Sequence, residues 1–421
     1  MKKLGRRNFL KSSAAGITVL NSASAFAAKK AAVRLGVIGC GGRGIHVALG
    51  FMDNTSTQVI AIADVFDDRL AEGKTKFDEK LTEKGYPTLK KDAILKGPDA
   101  YIRMVERSDV DAVLIASPHF VHPEQLEAAV DAGKHVYLEK PVAVDVRGCR
   151  KVMQAGRKAE GHVSLAVGFQ IRRATPFAGL RERIQRGDIG EIQMAQTYYF
   201  AGAPKRNAPS AASAEEKYVR LWGLYRALSG DNILLQGIHA LDTTNWIFGA
   251  HPLKANGVCE RKNRDDVGDN MSCFLVHYEY PGNVPVSFQS QQFNPGYGDV
   301  AEKFFGTKGF AEAHYSGGVF IEGENKWDSG ATRGSQELTD KQWATGQFRS
   351  ALDDADPNKQ KAFIDSIISG NYLNQAQQGA ESTLTALLGT TAGYHREEIT
   401  WDELLASGEA WDPMVDWSKI R

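Results

Sequence analysis

The 421-residue chain sets 51 Lys and Arg against 51 Asp and Glu, with 42% hydrophobic and 24% charged residues. That balance describes a globular chain rather than a disordered, fibrous or multi-span membrane one, and the length exceeds a single ordinary core, so two domains are expected. Cys40, Cys149, Cys259 and Cys273 form no CxxC pair and are too sparse for a disulfide framework or a zinc site, which leaves a single Cys259–Cys273 bond as an open question.

The first residues include Lys2, Lys3, Arg6 and Arg7, then Phe9-Leu10-Lys11, a short apolar run through Ile17, Val19 and Leu20, and Ala25-Phe26-Ala27. Basic, apolar and small-x-small regions in that order read as an export leader over residues 1–27. The paired arginines before Phe9-Leu10 resemble a twin-arginine signal, so the machinery that moves folded proteins is an expected partner and the periplasm or another extracytoplasmic space the expected location. The apolar run is too short, and too rich in Ser, Gly and Ala, to span a bilayer, and no other long apolar run follows. Loss of the leader removes five basic residues and leaves 46 against 51 acidic, a balance of about −5 that argues against nucleic acid or an anionic membrane as partner.

Residues 33–38 read as a buried parallel strand, followed by Gly39-Cys40-Gly41-Gly42-Arg43-Gly44 and a helix from Ile45. The GxGxxG spacing of Gly39, Gly41 and Gly44 supplies a tight turn, a close approach to a pyrophosphate and close helix packing. A second strand, 58–63, ends at Asp64, 20 residues beyond Gly44, where a carboxylate accepts hydrogen bonds from ribose hydroxyls and repels a 2′-phosphate. NAD is therefore expected over NADP. Strands at 111–116 and 135–139 alternate with a helix over 123–132, the pattern of a doubly wound parallel sheet.

The Gly39 to Gly44 loop, Asp109-Val110-Asp111-Ala112-Val113, Glu139-Lys140-Pro141 and Gly237-Ile238-His239-Ala240-Leu241-Asp242 occur in an order that resembles the glucose-fructose oxidoreductase and inositol dehydrogenase family, Gfo/Idh/MocA. The resemblance runs from about Val33 to the last helix. It implies an α/β chain with an NAD-binding Rossmann domain over 33–160 and a C-terminal α+β domain over 161–421, built on a large, mostly antiparallel sheet. The sheet's open face would carry a sugar or polyol site and form contacts in a homo-oligomer, a dimer or tetramer. Strand patterns at 192–199, 254–259, 271–280, 284–291 and 300–305, and helical patterns at 359–369 and 377–397, agree with such a domain.

Lys140, at the end of a strand beside the cofactor crevice, is the candidate base, the role the resemblance implies for it; its pKa must then fall toward neutrality. His239, at the start of the helix running to Phe248, is the second acid–base candidate. Asp242, one turn later, is placed to orient His239 or the substrate. The family's acidic residue four positions before the histidine is absent, because Leu235 stands there with Gln236 next to it. Tyr198, Tyr199, Arg220, Trp222, Tyr225 and Arg226 offer hydrogen bonds and stacking faces for a sugar ring, with Arg172 and Asp242 as further candidate substrate contacts. Ser117, Pro118, His119, His122, Glu139, Lys140 and Gln170 are expected beside the cofactor with the residues from Gly39 to Gly44 and Asp64. No third ligand accompanies His119 and His122, so no metal is expected.

The leading reading is an NAD-dependent oxidoreductase that transfers a hydride between a sugar or polyol carbinol and a tightly held cofactor. The alternative is an NAD-dependent glycosidase working by transient oxidation, elimination and re-reduction. A third is a sugar- or nucleotide-binding protein without turnover.

Overall fold

The computed structural model describes residues 33–202, 206–292, 298–331 and 351–420, so the expected leader lies outside the described residues. Six parallel strands, β1 (Val33–Ile38), β2 (Thr57–Asp64), β3 (Ile94–Lys96), β4 (Ala112–Ile115), β5 (His135–Leu138) and β6 (Leu165–Val167), pair in the order β3-β2-β1-β4-β5-β6. Four of the six residues of β1 are fully apolar and all but Arg34 are buried, as a strand covered on both faces requires. Helices α1 (Gly42–Asn54), α2 (Asp67–Glu83), α3 (Ala100–Val105), α4 (His122–Asp131) and α5 (Val146–Ala159) make the crossovers. The parallel sheet takes in β6 and so continues past residue 160.

A nine-stranded sheet follows, built from β7 (Ile192–Phe200), β8 (Lys254–Glu260), β9 (Cys273–Tyr280), β10 (Val284–Gln291), β11 (Asp299–Gly306), β12 (Gly309–His314), β13 (Val319–Gly323), β14 (Trp327–Asp328) and β15 (Ile399–Thr400). Its order is β14-β13-β12-β11-β7-β10-β9-β8-β15, antiparallel except where β7 meets β10. The chain's other helices are α6 (Thr175–Gln185), α7 (Ala214–Arg220), α8 (Arg226–Ser229), α9 (Ile238–Phe248), α10 (Ala355–Ser369), α11 (Ala376–His395) and α12 (Trp401–Ser407).

Alternation along β9 settles which face of this sheet is covered. Phe274, Val276, Tyr278 and Tyr280 are buried, and the Tyr278 hydroxyl donates to Thr385 O on α11 at 3.1 Å, while Leu275 and His277 point to the open side. Helix α11 is rich in Ala, Gly and Thr and buried nearly all round, which lets it lie close on the strands; a Cβ at Gly389 would come within 2.0 Å of the Tyr278 hydroxyl. Cys259 lies on the covered face and Cys273 on the open face of the neighbouring strand, and both are free thiols, so the Cys259–Cys273 bond is absent.

A buried ion pair ties the two domains. Arg172, in the turn after β6, donates from Nε to Asp242 Oδ2 at 2.9 Å and from Nη2 to Oδ1 at 2.7 Å, and the Ser382 hydroxyl of α11 donates to the same Oδ1 at 2.7 Å. Asp242 has no exposed surface. Removing its carboxylate strands a largely buried guanidinium, 15% exposed, so Asp242→Ala is expected to lose roughly 3 kcal/mol of stability, whereas the Arg172→Met/Asp242→Leu double variant recovers most of it. Urea unfolding of the three proteins measures this.

Candidate active site

The carboxyl ends of β1, β2, β4, β5 and β6 share one edge of the parallel sheet, and the candidate residues gather there. Gly39 holds φ at +96°, and a Cβ there would strike the backbone of Ala116 and Ser117 at 2.6–2.7 Å. At Gly44 a Cβ would sit 1.9 Å from Gly39 O, while Gly41 and Gly42 face open space. This cradle fits a pyrophosphate, with the amino end of α1 and no acidic residue in its first turn facing it. Asp64 Oδ2 accepts from Cys40 N at 2.8 Å and Oδ1 from Phe66 N at 3.0 Å, which fixes the carboxylate at the end of β2 with lone pairs left for a ribose. Asp64 makes no side-chain cap to α2, whose N-cap position is Phe66.

Behind the cradle lies a buried constellation of charge. Arg43 donates from Nε to Glu139 Oε1 at 3.0 Å, with Nη2 2.9 Å from the same oxygen, and Glu139 is buried. Lys359 of α10, also buried, lies 2.7 Å from Asp356 Oδ1, and His46 Nε2 lies 3.7 Å from Asp356 Oδ2. Lys140 follows Glu139 in sequence but leaves the acid to Arg43, and its Nζ donates to Leu235 O at 2.9 Å. Burial above all pushes the Lys140 ammonium down to about 7; Arg43 and Lys359 act in the same direction and Glu139 opposes them. The position where the family's acid is missing thus serves through its backbone, in a π-helical turn over 233–237 that leads into α9.

His239 is 5% exposed, near-parallel to the Tyr199 ring at 6.3 Å and edge-on to Phe169 at 6.5 Å. Its Nδ1 is buried with no hydrogen-bond partner. Burial first, then the charges of Lys140, Arg43 and Lys359, hold its pKa well below the usual histidine value. Near neutral pH His239 is therefore a neutral hydrogen-bonding group, and the titration expected of it belongs to Lys140.

The family described as "Oxidoreductase family, NAD-binding Rossmann fold" matches residues 33–169, and "GFO/IDH/MocA C-terminal domain" matches residues 177–312. The chain belongs to the Gfo/Idh/MocA family. It is an oxidoreductase of that family with NAD as cofactor, and its fold is the family's. Myo-inositol 2-dehydrogenase of Thermotoga maritima is 28% identical over 371 residues, 87% of this chain and 97% of that protein. Inositol 2-dehydrogenase of Rhizobium meliloti is 26% identical over 301 residues, 69% of this chain and 78% of that protein. The scyllo-inositol dehydrogenase of Lactobacillus casei, solved with NAD(H) and scyllo-inositol, has the same fold, with a TM-score of 0.65 at 20% identity over 88% of this chain and 99% of that one.

Within this Gfo/Idh/MocA chain the other expected contacts divide. The His239 site lies on the helix-covered face of the large sheet, not the open one. Tyr198, next to Tyr199 on β7, points to the opposite face and donates to Asp299 Oδ2 at 2.8 Å, so it cannot reach a ligand at His239. Asp242 and Arg172 are spent on each other rather than on His239 or a substrate. Arg220 reaches Asp68 at 2.7 Å, turned to the nucleotide domain instead of a sugar. Trp222 lies edge-on to His119 at 4.5 Å, and Tyr225 packs on Tyr218 at 4.4 Å.

His119 Nδ1 lies 3.2 Å from Ser229 O, next to Pro118 at the end of β4. His122 is fully buried between Pro141 O at 2.8 Å and Ser117 O at 2.9 Å, a brace between the two cofactor loops with no surface left for ligand. The Ser117 hydroxyl bonds Gln125, and Gln170 is buried at the end of β6. Sequence reasoning missed Asp356 and Lys359. The readable signal was Lys359 itself, four residues before Phe363 on the same helix face, since a lysine is buried only where something specific holds it.

The charge on Lys359 lowers the Lys140 pKa, so removing it raises Lys140. In Lys359→Met the acid limb of the kcat/KM profile should move to higher pH than the wild-type limb near 7. A limb that stays in place, or moves down, contradicts the arrangement.

Proposed function

We propose that the protein oxidises a secondary alcohol of a cyclic polyol or sugar, with Lys140 as base, using NAD that stays bound, and that it works outside the cytoplasm. The observation that carries this is Lys140: partly buried, anchored by Leu235 O at 2.9 Å and brought to about 7, it is ready to gain or lose a proton at neutral pH. When bound, NAD supplies the hydride acceptor. Neutral Lys140 Nζ takes the hydroxyl proton, and the ammonium so formed holds the new carbonyl oxygen; reduction runs the same transfer backwards. The free Nδ1 of neutral His239 hydrogen-bonds a second hydroxyl, and Tyr199 and Phe169 wall that side from water. Names of the relatives that act on inositol support a polyol.

Oxidation should quicken as pH rises through about 7, where Lys140 becomes neutral. Lys140→Ala should lower turnover of polyols by roughly 10²–10⁴-fold while NAD remains bound, as read by nucleotide content after gel filtration. Unchanged turnover removes Lys140 from the chemistry; release of an aglycone from aryl glycosides with no net reduction of the nicotinamide would replace oxidation by glycoside cleavage.

Export rests on Arg6, Arg7 and the small-x-small site at Ala25 to Ala27. It calls for NAD loaded before transport. Cell fractionation should find the Arg6→Lys/Arg7→Lys variant retained inside, and equal export of both proteins would refute the twin-arginine route. Met194, Val258 and Leu275, 46%, 38% and 51% exposed on the open face of the large sheet, support a homo-oligomer formed through that face.

A further inference from the structure

Arg220, the last residue of α7, crosses from the C-terminal domain to the start of α2. Its Nη1 and Nη2 donate to the two oxygens of Asp68 at 3.0 and 2.7 Å, Nε donates to Glu216 Oε1 at 2.7 Å, and the guanidinium lies 3.8 Å above the Phe66 ring. The side chain is 9% exposed, against 57% for Asp68. Phe66 and Asp68 lie two and four residues beyond Asp64, at the ribose end of the crevice.

Two residues further along, Trp222 packs on His119, past the end of β4, and Arg206 lies 5.0 Å from the Trp222 ring. In the parallel sheet β1 lies between β2 and β4. A segment fixed at the carboxyl ends of both neighbours spans roughly 10 Å of sheet edge and must pass over the end of β1, where Gly39 to Gly44 form the phosphate cradle. The strap is tied to the C-terminal tail, where Asp416 N donates to Glu215 Oε1 at 2.6 Å, and Trp417 of that tail stacks at 6.2 Å on Phe120 in the segment after β4.

We infer that residues 214–229 are a strap closed over the bound dinucleotide, with the Arg220–Asp68 pair as the latch that sets how slowly NAD leaves. The inference rests on the NAD reading above. All the Arg220 donors named are used within the protein, so the residue acts by holding two domains together over the nucleotide rather than by binding a phosphate. For NAD to leave, the Asp68 pair and the Phe66 contact must open together.

The test uses the full-length chain purified with NAD in place, following release after dilution into excess fluorescent etheno-NAD. Arg220→Met keeps an apolar stem on Phe66 and removes the charge; Asp68→Asn changes an exposed side chain with little risk to folding. Arg220→Met should release NAD about tenfold faster, the scale of one ion pair with a cation–π contact, and Asp68→Asn, which keeps the Phe66 contact, about threefold faster. Raising salt from about 0.1 to 1 M, where the Debye length falls from about 10 to 3 Å, should speed release from the wild type more than from Arg220→Met. Wild-type release rates in both variants, with the same salt response, overturn the latch. A wild-type protein that carries no NAD and takes none up overturns instead the function on which the latch depends.

Discussion

Three cations share the buried ground beneath the nucleotide crevice with only two carboxylates, and that imbalance decides the chemistry. Arg43 is matched by Glu139 at 2.9 Å and Lys359 by Asp356 at 2.7 Å. Taking an ion out of water costs several kcal/mol unless a partner repays it, so the two matched pairs keep their charge. Lys140 has a carbonyl oxygen where the others have carboxylates, and it is the group that gives up its proton near 7. Because Arg43 belongs to the glycine loop and Glu139 adjoins Lys140, the loop that cradles phosphate and the base that moves a proton share one electrostatic field.

The same field explains His239. A buried imidazole beside three cations pays for a proton twice, in lost hydration and in repulsion, and so stays neutral. Its ring is held by Tyr199 and Phe169 rather than by an acid, which leaves the buried Nδ1 without a hydrogen-bond partner. The missing acid at Leu235 is therefore no gap in the machinery. An acid there would stand beside Lys140 and raise its pKa, whereas the Leu235 carbonyl orients the amine and leaves its basicity to burial.

Around this centre the domains are joined by polar contacts that reach across the crevice. Arg172 and Asp242 lock the end of β6 to α9, His119 past the end of β4 meets Ser229 O of α8, and Arg220 spans from α7 to the first turn of α2. Several of these residues look from sequence like ligand contacts, since arginines and histidines near a cofactor motif invite that reading. Their donors are used within the protein. Which arginines hold the protein together and which hold ligand depends on neighbours that no local pattern reveals.

Much of the architecture was readable from local pattern alone. Glycine spacing, the acid after β2 and the switch between helical and alternating periodicity are short-range properties, so the parallel sheet and its cofactor could be named from residues a few positions apart, whereas Lys140 and His239 became candidates through the family resemblance that their motifs carry. The short strands β12 to β14 carried too little alternation to be read. Tertiary structure alone decided the rest, because electrostatics and facing are set by residues far apart in the chain: Arg43 meets Glu139 across 96 positions, Lys140 meets Leu235 across 95, and Arg220 meets Asp68 across 152. Even Tyr198 and Tyr199, neighbours in sequence, part company at the sheet, since successive side chains on a strand point to opposite faces and only packing against α9 determines which face meets His239.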